Sequence, residues 1–211
     1  GTWQQKPPLF LSLHPFSAEA CLQPVRTREG FFAPCLSLED PISEPRRFVV
    51  TGGPGAGKST LVEALAEAGV RTFGEAGRAI LRQQDAIGGP AHAGRDPIAY
   101  ADAMLQWDMR SWAEAEGQSG PVVFDRGVAD TMGYLRLIGR PVPAHFQRAA
   151  LLYRYADPVF VAPPWREIYV HDAERRHGWE LAVATHDEVR AVYEELGYEI
   201  AELPLADVAA R

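Results

Sequence analysis

Apolar positions change their spacing repeatedly after residue 46. The run RFVVTG (47–52) is continuously apolar at its centre, rich in β-branched residues and closed by glycine, the pattern of a short strand buried on both faces of a parallel sheet. KSTLVEALAEAG (58–69) switches to helical spacing and stops at Gly69, a residue suited to ending a helix. VRTF (70–73) predicts a second strand and EAGRAILRQQ (75–84) a helix. A long amphipathic helix falls within 92–117, where Pro97 supplies a helix start. PVVFD (121–125) predicts a third strand, and VADTMGYLRLIG (128–139) and PAHFQRAALLYRY (143–155) two helices. DPVFVAP (157–163) is a fourth strand, DEVRAVYEELG (187–197) a helix and YEIAEL (198–203) a last strand. Residues 204–211 read as the opening of one more helix, which would leave the domain clipped at its C-terminus. Alternation of this kind predicts an α/β fold, a five-stranded parallel sheet with helices on both faces.

The first 45 residues follow neither period. Seven prolines (Pro7, Pro8, Pro15, Pro24, Pro34, Pro41 and Pro45) interrupt them, so the segment buries too little apolar surface to offset its ordering entropy. It reads as a loosely ordered, Pro-rich leader to a domain over 46–211. The apolar stretch PPLFLSLHPF (7–16) is broken by prolines and His14 and lacks a small-residue cleavage pattern, so it does not read as a secretory signal. No run of 18 apolar residues predicts a membrane helix. A net charge of -7 argues against a general nucleic-acid binder, which needs a basic face. Cys21 and Cys35, the only cysteines, read as reduced thiols rather than a disulfide. The expectation is a cytoplasmic protein with neither nucleic acid nor membrane as partner.

Between the first strand and first helix stands GGPGAGKST. Gly52, Gly57, Lys58 and Ser59 fit the G-x-x-x-x-G-K-[ST] phosphate-binding loop, in the strand–loop–helix context that its mechanism requires. The N–H groups of Gly53, Pro54 excepted, and of Gly55, Ala56, Gly57, Lys58, Ser59 and Thr60 are expected to surround a phosphate at the helix N-terminus. Lys58 is expected to bridge β- and γ-phosphates, and the Ser59 hydroxyl to ligate Mg²⁺. These assignments predict a nucleoside triphosphate as ligand. No Asn/Thr-Lys-x-Asp guanine motif occurs, which favours ATP over GTP.

The third strand ends in Asp125-Arg126 rather than the Asp-Glu of ATPase motors. Asp125 is expected on the metal side. Arg126 suits phosphoryl transfer to an organic acceptor, by stabilising charge on the moving group or anchoring the substrate. A helix cap for Asp125 and a surface ion pair for Arg126 are the plainer alternatives. Glu75, just past the second strand, belongs at the sheet edge where ligands gather and is a candidate base for an acceptor hydroxyl. It also suits simple complementation of a helix dipole. Arg78, one turn on, could share the cleft. Arg175 and Arg176, with Arg166, Trp165 and Trp179, could form a flap that closes over triphosphate, or a solvated charged helix. Trp107 and Asp108 could wall an acceptor pocket or belong to the core. His171 and His177 have no partner at metal-ligand spacing.

Residues 47–211 resemble the small P-loop ATPase domain described as a predicted AAA-type ATPase, related to the ribosylnicotinamide-kinase part of bifunctional NAD-biosynthesis regulators. FVVTGGPGAGKSTL, GEAGR, VVFDRGVADTMGY, VFVAPPWREIYVHDAERR and ELGYEIAELP carry the resemblance. It implies a nucleotide-kinase-like fold with Gly52–Thr60 as the ATP loop and Asp125 as the metal-side acid, and it implies no particular substrate. Two functions fit: a kinase moving the γ-phosphoryl of ATP to a small-molecule hydroxyl, or a regulatory ATPase or switch whose protein partner completes the site.

Overall fold

The computed structural model describes residues 46–169 and 178–211. The expectations placed on the leader, Cys21, Cys35, His171, Arg175, Arg176 and His177 lie outside these residues. Five strands, β1 (Arg46–Gly52), β2 (Arg71–Phe73), β3 (Pro121–Asp125), β4 (Val159–Ala162) and β5 (Ile200–Glu202), form one sheet in the order β2-β3-β1-β4-β5. Every neighbouring pair is parallel, as the strand–helix alternation predicts.

Alternation along the strands explains why the runs are apolar throughout. Val49 of β1 and Val122 and Phe124 of β3 point into one cluster, with Leu105, Leu135, Phe146, Val192 and Tyr193 from the helices. Val50 and Val123, one residue out of phase, point to the other face and pack on Leu61, Val62 and Leu203. Successive side chains face opposite sides of a sheet, and here both sides are covered by helices.

The helices are α1 (Lys58–Glu67), α2 (Ala76–Ile87), α3 (Pro97–Glu114), α4 (Asp130–Leu137), α5 (Ala144–Leu152) and α6 (Trp179–Glu195). Pro97 does open α3, and the Asp96 side chain caps it by accepting from the N–H groups of Ile98 and Ala99. Helix α2 runs on to Ile87 and stops at Gly88, whose φ of 63° is the left-handed conformation of a glycine cap. Helix α6 begins eight residues before the span 187–197 read from the sequence; its first turns are rich in good helix formers, and Ala182, His186, Val189 and Tyr193 form its buried stripe. The helix expected over 204–211 does not form. Those residues make bends and turns, one of them closed by the Asp207 carboxylate accepting from the Ala210 N–H. No helix among the described residues is long and apolar enough to cross a membrane.

The register fixes where the site lies. Val50 of β1 pairs with Asp125 of β3, and Phe73 of β2 pairs with Phe124. The C-terminal ends of β1, β2 and β3 are therefore side by side, and the loop after β1, Glu75 after β2 and Asp125 emerge at one edge, where ligands of parallel sheets bind.

Candidate nucleotide site

The loop after β1 is held from outside as well as by its own glycines. A Cβ on Gly52 would lie 2.3 Å from the Ala162 carbonyl oxygen of β4, and one on Gly53 2.1 Å from the Ala182 carbonyl oxygen of α6. Only a residue without a side chain lets the backbone pass between these elements. Gly57, with a φ of 77°, caps α1 and offers no side-chain acceptor to its first turn. The first-turn N–H groups of α1 thus lack a side-chain partner and face the loop, an arrangement suited to an anion.

Lys58 is buried, and its Nζ donates to the Gly53 carbonyl at 2.7 Å, so the ammonium lies folded into the loop. Burial, with the Arg126 charge second, lowers its pKa to about 8 against the pull of Asp125, Glu75 and Asp130. The Ser59 hydroxyl donates to Asp125 Oδ2 at 3.3 Å. Asp125 Oδ1 is buried without a hydrogen-bond partner among the described residues, and burial raises the Asp125 pKa. A buried carboxylate oxygen of this kind, beside a hydroxyl, would fit a divalent cation. Among the described residues no group of three or more His, Cys, Asp or Glu is arranged to hold a metal by itself.

Arg126 is held by two carboxylates, and its side chain is largely buried rather than at the surface. Its φ is 72°, the one positive value at a non-glycine among the described residues. Its Nε donates to Glu75 Oε1 at 3.1 Å and its Nη1 to Asp130 Oδ1 at 3.0 Å. Arg78 Nη2 lies 3.6 Å from Glu75 Oε2. Burial pushes the Glu75 pKa up, but Arg126, Lys58 and Arg78 outweigh it and hold the carboxyl below its ordinary value. Glu75 also precedes α2 as its cap residue without bonding to the helix by its side chain, so the ion pair, not capping, accounts for its placement.

Two cavities meet at this edge. One, about 500 Å³, is lined by the loop residues 54–60 on one side and by Trp165, Ile168 and Arg211 on the other. The second, about 580 Å³, is lined by Phe73, Arg82, Trp107 and Ser111 among others. Ser59, Glu75 and Arg78 border both. Trp107 satisfies both of its sequence readings, since it lines the second cavity and packs on the cluster of Ala76, Ile80 and Tyr100. Asp108, adjacent to it, is buried; burial, and then the Asp130 charge, push its pKa well above the ordinary carboxylate value.

Lys58, Ser59, Glu75, Asp125 and Arg126 thus lie together at one edge of the sheet. Trp165 reaches the phosphate loop cavity, while Arg166 lies over the Trp179 ring at 5.1 Å from its centroid. Sequence reasoning missed Asp130, Tyr193 and Arg211. Asp130 had a signal, since a carboxylate four residues after Arg126 at the start of a helix is in ion-pair reach. Arg211, whose Nη1 donates to the Ala56 carbonyl at 3.0 Å, had none, because its approach depends on the turns after β5.

A phosphate loop between a buried strand and helix, a parallel sheet in this order and a Ser–Asp pair beside the loop define a P-loop NTPase of the nucleotide-kinase-like kind. A family model described as "AAA domain" matches residues 47–211, and the chain belongs to that family. Comparison with curated proteins finds no match. Among solved structures, the fold is similar to deoxyadenosine kinase from M. mycoides with bound dATP, at TM-score 0.56 and 14% identity over 78% of this chain and 94% of that one. It is similar to thymidylate kinase from Ehrlichia chaffeensis at TM-score 0.53 and 15% identity, over 76% and 89%. It is also similar to NadR protein in complex with NAD and AMP-PNP at TM-score 0.51 and 20% identity, over 76% of this chain but 44% of that one. The chain therefore spans less than half of the NadR chain it resembles, and at these identities each likeness is one of fold.

Proposed function

We propose that the protein binds Mg-ATP at Gly52–Thr60 and transfers the γ-phosphoryl to a hydroxyl of a small molecule held in the second cavity. The observation that carries this reading is the meeting of the two cavities at Glu75. A carboxylate shared between a phosphate loop and a separate, small-molecule-sized space is what transfer to an acceptor requires, and hydrolysis or switching does not call for the second space. Lys58 neutralises phosphate oxygens, and the backbone N–H groups of the loop fix them. Ser59 and Asp125 would hold Mg²⁺, which when bound would supply positive charge to the phosphates. Arg126 presents positive charge beside the transferred group. Glu75 accepts a hydrogen bond from the acceptor hydroxyl and orients it; held ionised by Arg126, it takes the proton late, which suits a loose transition state with little need for a strong base. Arg175 and Arg176 remain candidates for closing over the triphosphate.

The test is ATP consumption across a panel of nucleosides, vitamins and aminoglycoside-like acceptors. Stimulation by one acceptor with stoichiometric phosphorylated product supports the kinase. Unchanged basal hydrolysis with every acceptor, and stimulation by a protein partner instead, would make the protein a regulatory ATPase.

Every residue in this scheme lies at or beyond Gly52. Deleting residues 1–45 is therefore expected to leave the dissociation constant for Mg-ATP unchanged, as measured by calorimetry on the truncated protein. Lost binding in a folded truncation would make the leader part of the site.

A further inference from the structure

Asp130 has no place in the scheme above, yet it joins three separate segments. Its Oδ1 accepts from the Thr51 hydroxyl of β1 and from Arg126 Nη1, and its Oδ2 accepts from the Gly127 N–H at 2.9 Å and the Tyr193 hydroxyl of α6 at 2.8 Å. The residue is buried, so these four donors replace water entirely. Its carboxylate is thereby fixed to the central strand and to α6.

Arg126 is pinned by this anchor. Nε is bound to Glu75 and Nη1 to Asp130, while Nη2 has no hydrogen-bond partner among the described residues, and the side chain borders the phosphate-loop cavity. Two contacts on different nitrogens fix the plane of a guanidinium, because the group is rigid and planar. The left-handed backbone at Arg126 is strained for a residue with a Cβ and persists only where its surroundings over-determine it, and the Gly127 N–H bound to Asp130 Oδ2 is such a constraint.

We propose that Asp130 is a positioning residue: its carboxylate, locked by Thr51, Gly127 and Tyr193, sets the plane of Arg126 so that Nη2 is presented to the phosphate-loop cavity and Glu75 is held at the mouth of the second one. That Nη2 then meets the transferred phosphoryl rests on the kinase reading; that Asp130 holds Arg126 does not. A carboxylate in the first turn of α4 would also complement that helix, but such a role would move stability alone.

The experiment reads Arg126 directly. In the full-length protein without nucleotide, the nitrogen-15 side-chain resonances of Arg126 are assigned by their loss in Arg126→Ala. Slow exchange of the Nε proton is expected in the wild type. Asp130→Asn is expected to shift and broaden the Arg126 signals, and Tyr193→Phe and Thr51→Val, which each remove one donor to Asp130 without touching its charge, to do so more weakly. With an acceptor that turns over, Asp130→Asn is expected to lower kcat by up to roughly 10²-fold, the scale of a displaced catalytic group, with the KM for Mg-ATP unchanged. The same substitution in an Arg126→Ala background should add nothing further, since both changes remove one interaction. An unmoved Arg126 signal in folded Asp130→Asn overturns the proposal, as do additive losses in the double mutant. Should Asp130→Asn fail to fold, unmoved signals in both Tyr193→Phe and Thr51→Val overturn it. If no acceptor turns over in the wild type, the kinase reading falls while the resonance measurements still decide whether Asp130 positions Arg126.

Discussion

Lys58→Ala is expected to abolish both turnover and the thermal stabilisation that Mg-ATP confers. A ligand at a hundred times its dissociation constant adds about 2.7 kcal/mol to the folded state. For a chain of this length that corresponds to a rise in Tm of roughly 5–10 °C, which the variant should lack. The wild type carries a second signature of the same residue. Lys58 in the folded protein has a pKa lowered to about 8 from 10.5, chiefly by burial. A base whose folded pKa is depressed costs the fold stability where it is charged, so the fold is penalised by about 3 kcal/mol below pH 8. That penalty fades as the pH rises from about 8 towards 10.5. Triphosphate supplies the counter-charge and restores the ordinary value. Binding of Mg-ATP is therefore expected to take up a proton above pH 8 and to weaken there by up to about tenfold per pH unit. Calorimetry in two buffers of different ionisation enthalpy measures the uptake. An equal Tm shift in Lys58→Ala and wild type would show that the loop does not hold the nucleotide.

The parts of this site that were legible in the sequence are those fixed by local geometry. Gly52, Gly57, Lys58 and Ser59 match a short spaced motif set between a strand and a helix, and Asp125 ends a short, β-branched apolar run that reads as a strand. The strand order was not legible, because parallel neighbours are chosen by packing of the crossover helices rather than by the strands themselves. Helix α6 was underestimated because its first turns lack a strong start signal, Gly178 offering no side-chain cap. The turns after β5 were mistaken for a helix because Ala and Leu favour one locally, whereas Pro204 and the contact of Arg211 with the Ala56 carbonyl hold the segment along the loop. Arg126 was read as a charge for the moving phosphoryl or as a surface ion pair, without its partners. Its commitment to Glu75 and Asp130 depends on β2, β3 and α4 converging, which no single segment encodes.

That convergence makes the carboxylates the place where a kinase and a switch part. Glu75→Gln is expected to leave the affinity for Mg-ATP unchanged and to reduce phosphoryl transfer by roughly 10²–10⁴-fold, the range for removal of a positioned proton acceptor. Asp125→Asn should act on the other term, weakening the Mg²⁺-dependent part of binding, since Oδ1, without a partner among the described residues, and Oδ2, bonded to Ser59, are the oxygens proposed to hold the cation. Arg126→Ala should slow transfer with little change in affinity, because its charge matters most as the phosphoryl moves. It should also move the pH profile. Arg126 is the foremost charge holding Glu75 below its ordinary pKa against burial. Below that depressed value Glu75 takes up a proton and transfer is lost; without Arg126, burial is less opposed and the value rises. The acid limb of kcat is therefore expected at lower pH than an ordinary glutamate in the wild type, and displaced upward in Arg126→Ala. A switch would show none of this, as its basal hydrolysis needs no group poised over an acceptor. The decisive measurement pairs Mg-ATP affinity with turnover for Glu75→Gln, Asp125→Asn and Arg126→Ala, with and without the best acceptor, from about pH 3 to 8, so that a limb below the ordinary glutamate value is sampled. Small and equal effects of Glu75→Gln on affinity and turnover, with an acid limb that stays in place when Arg126 is removed, would sink the transfer mechanism.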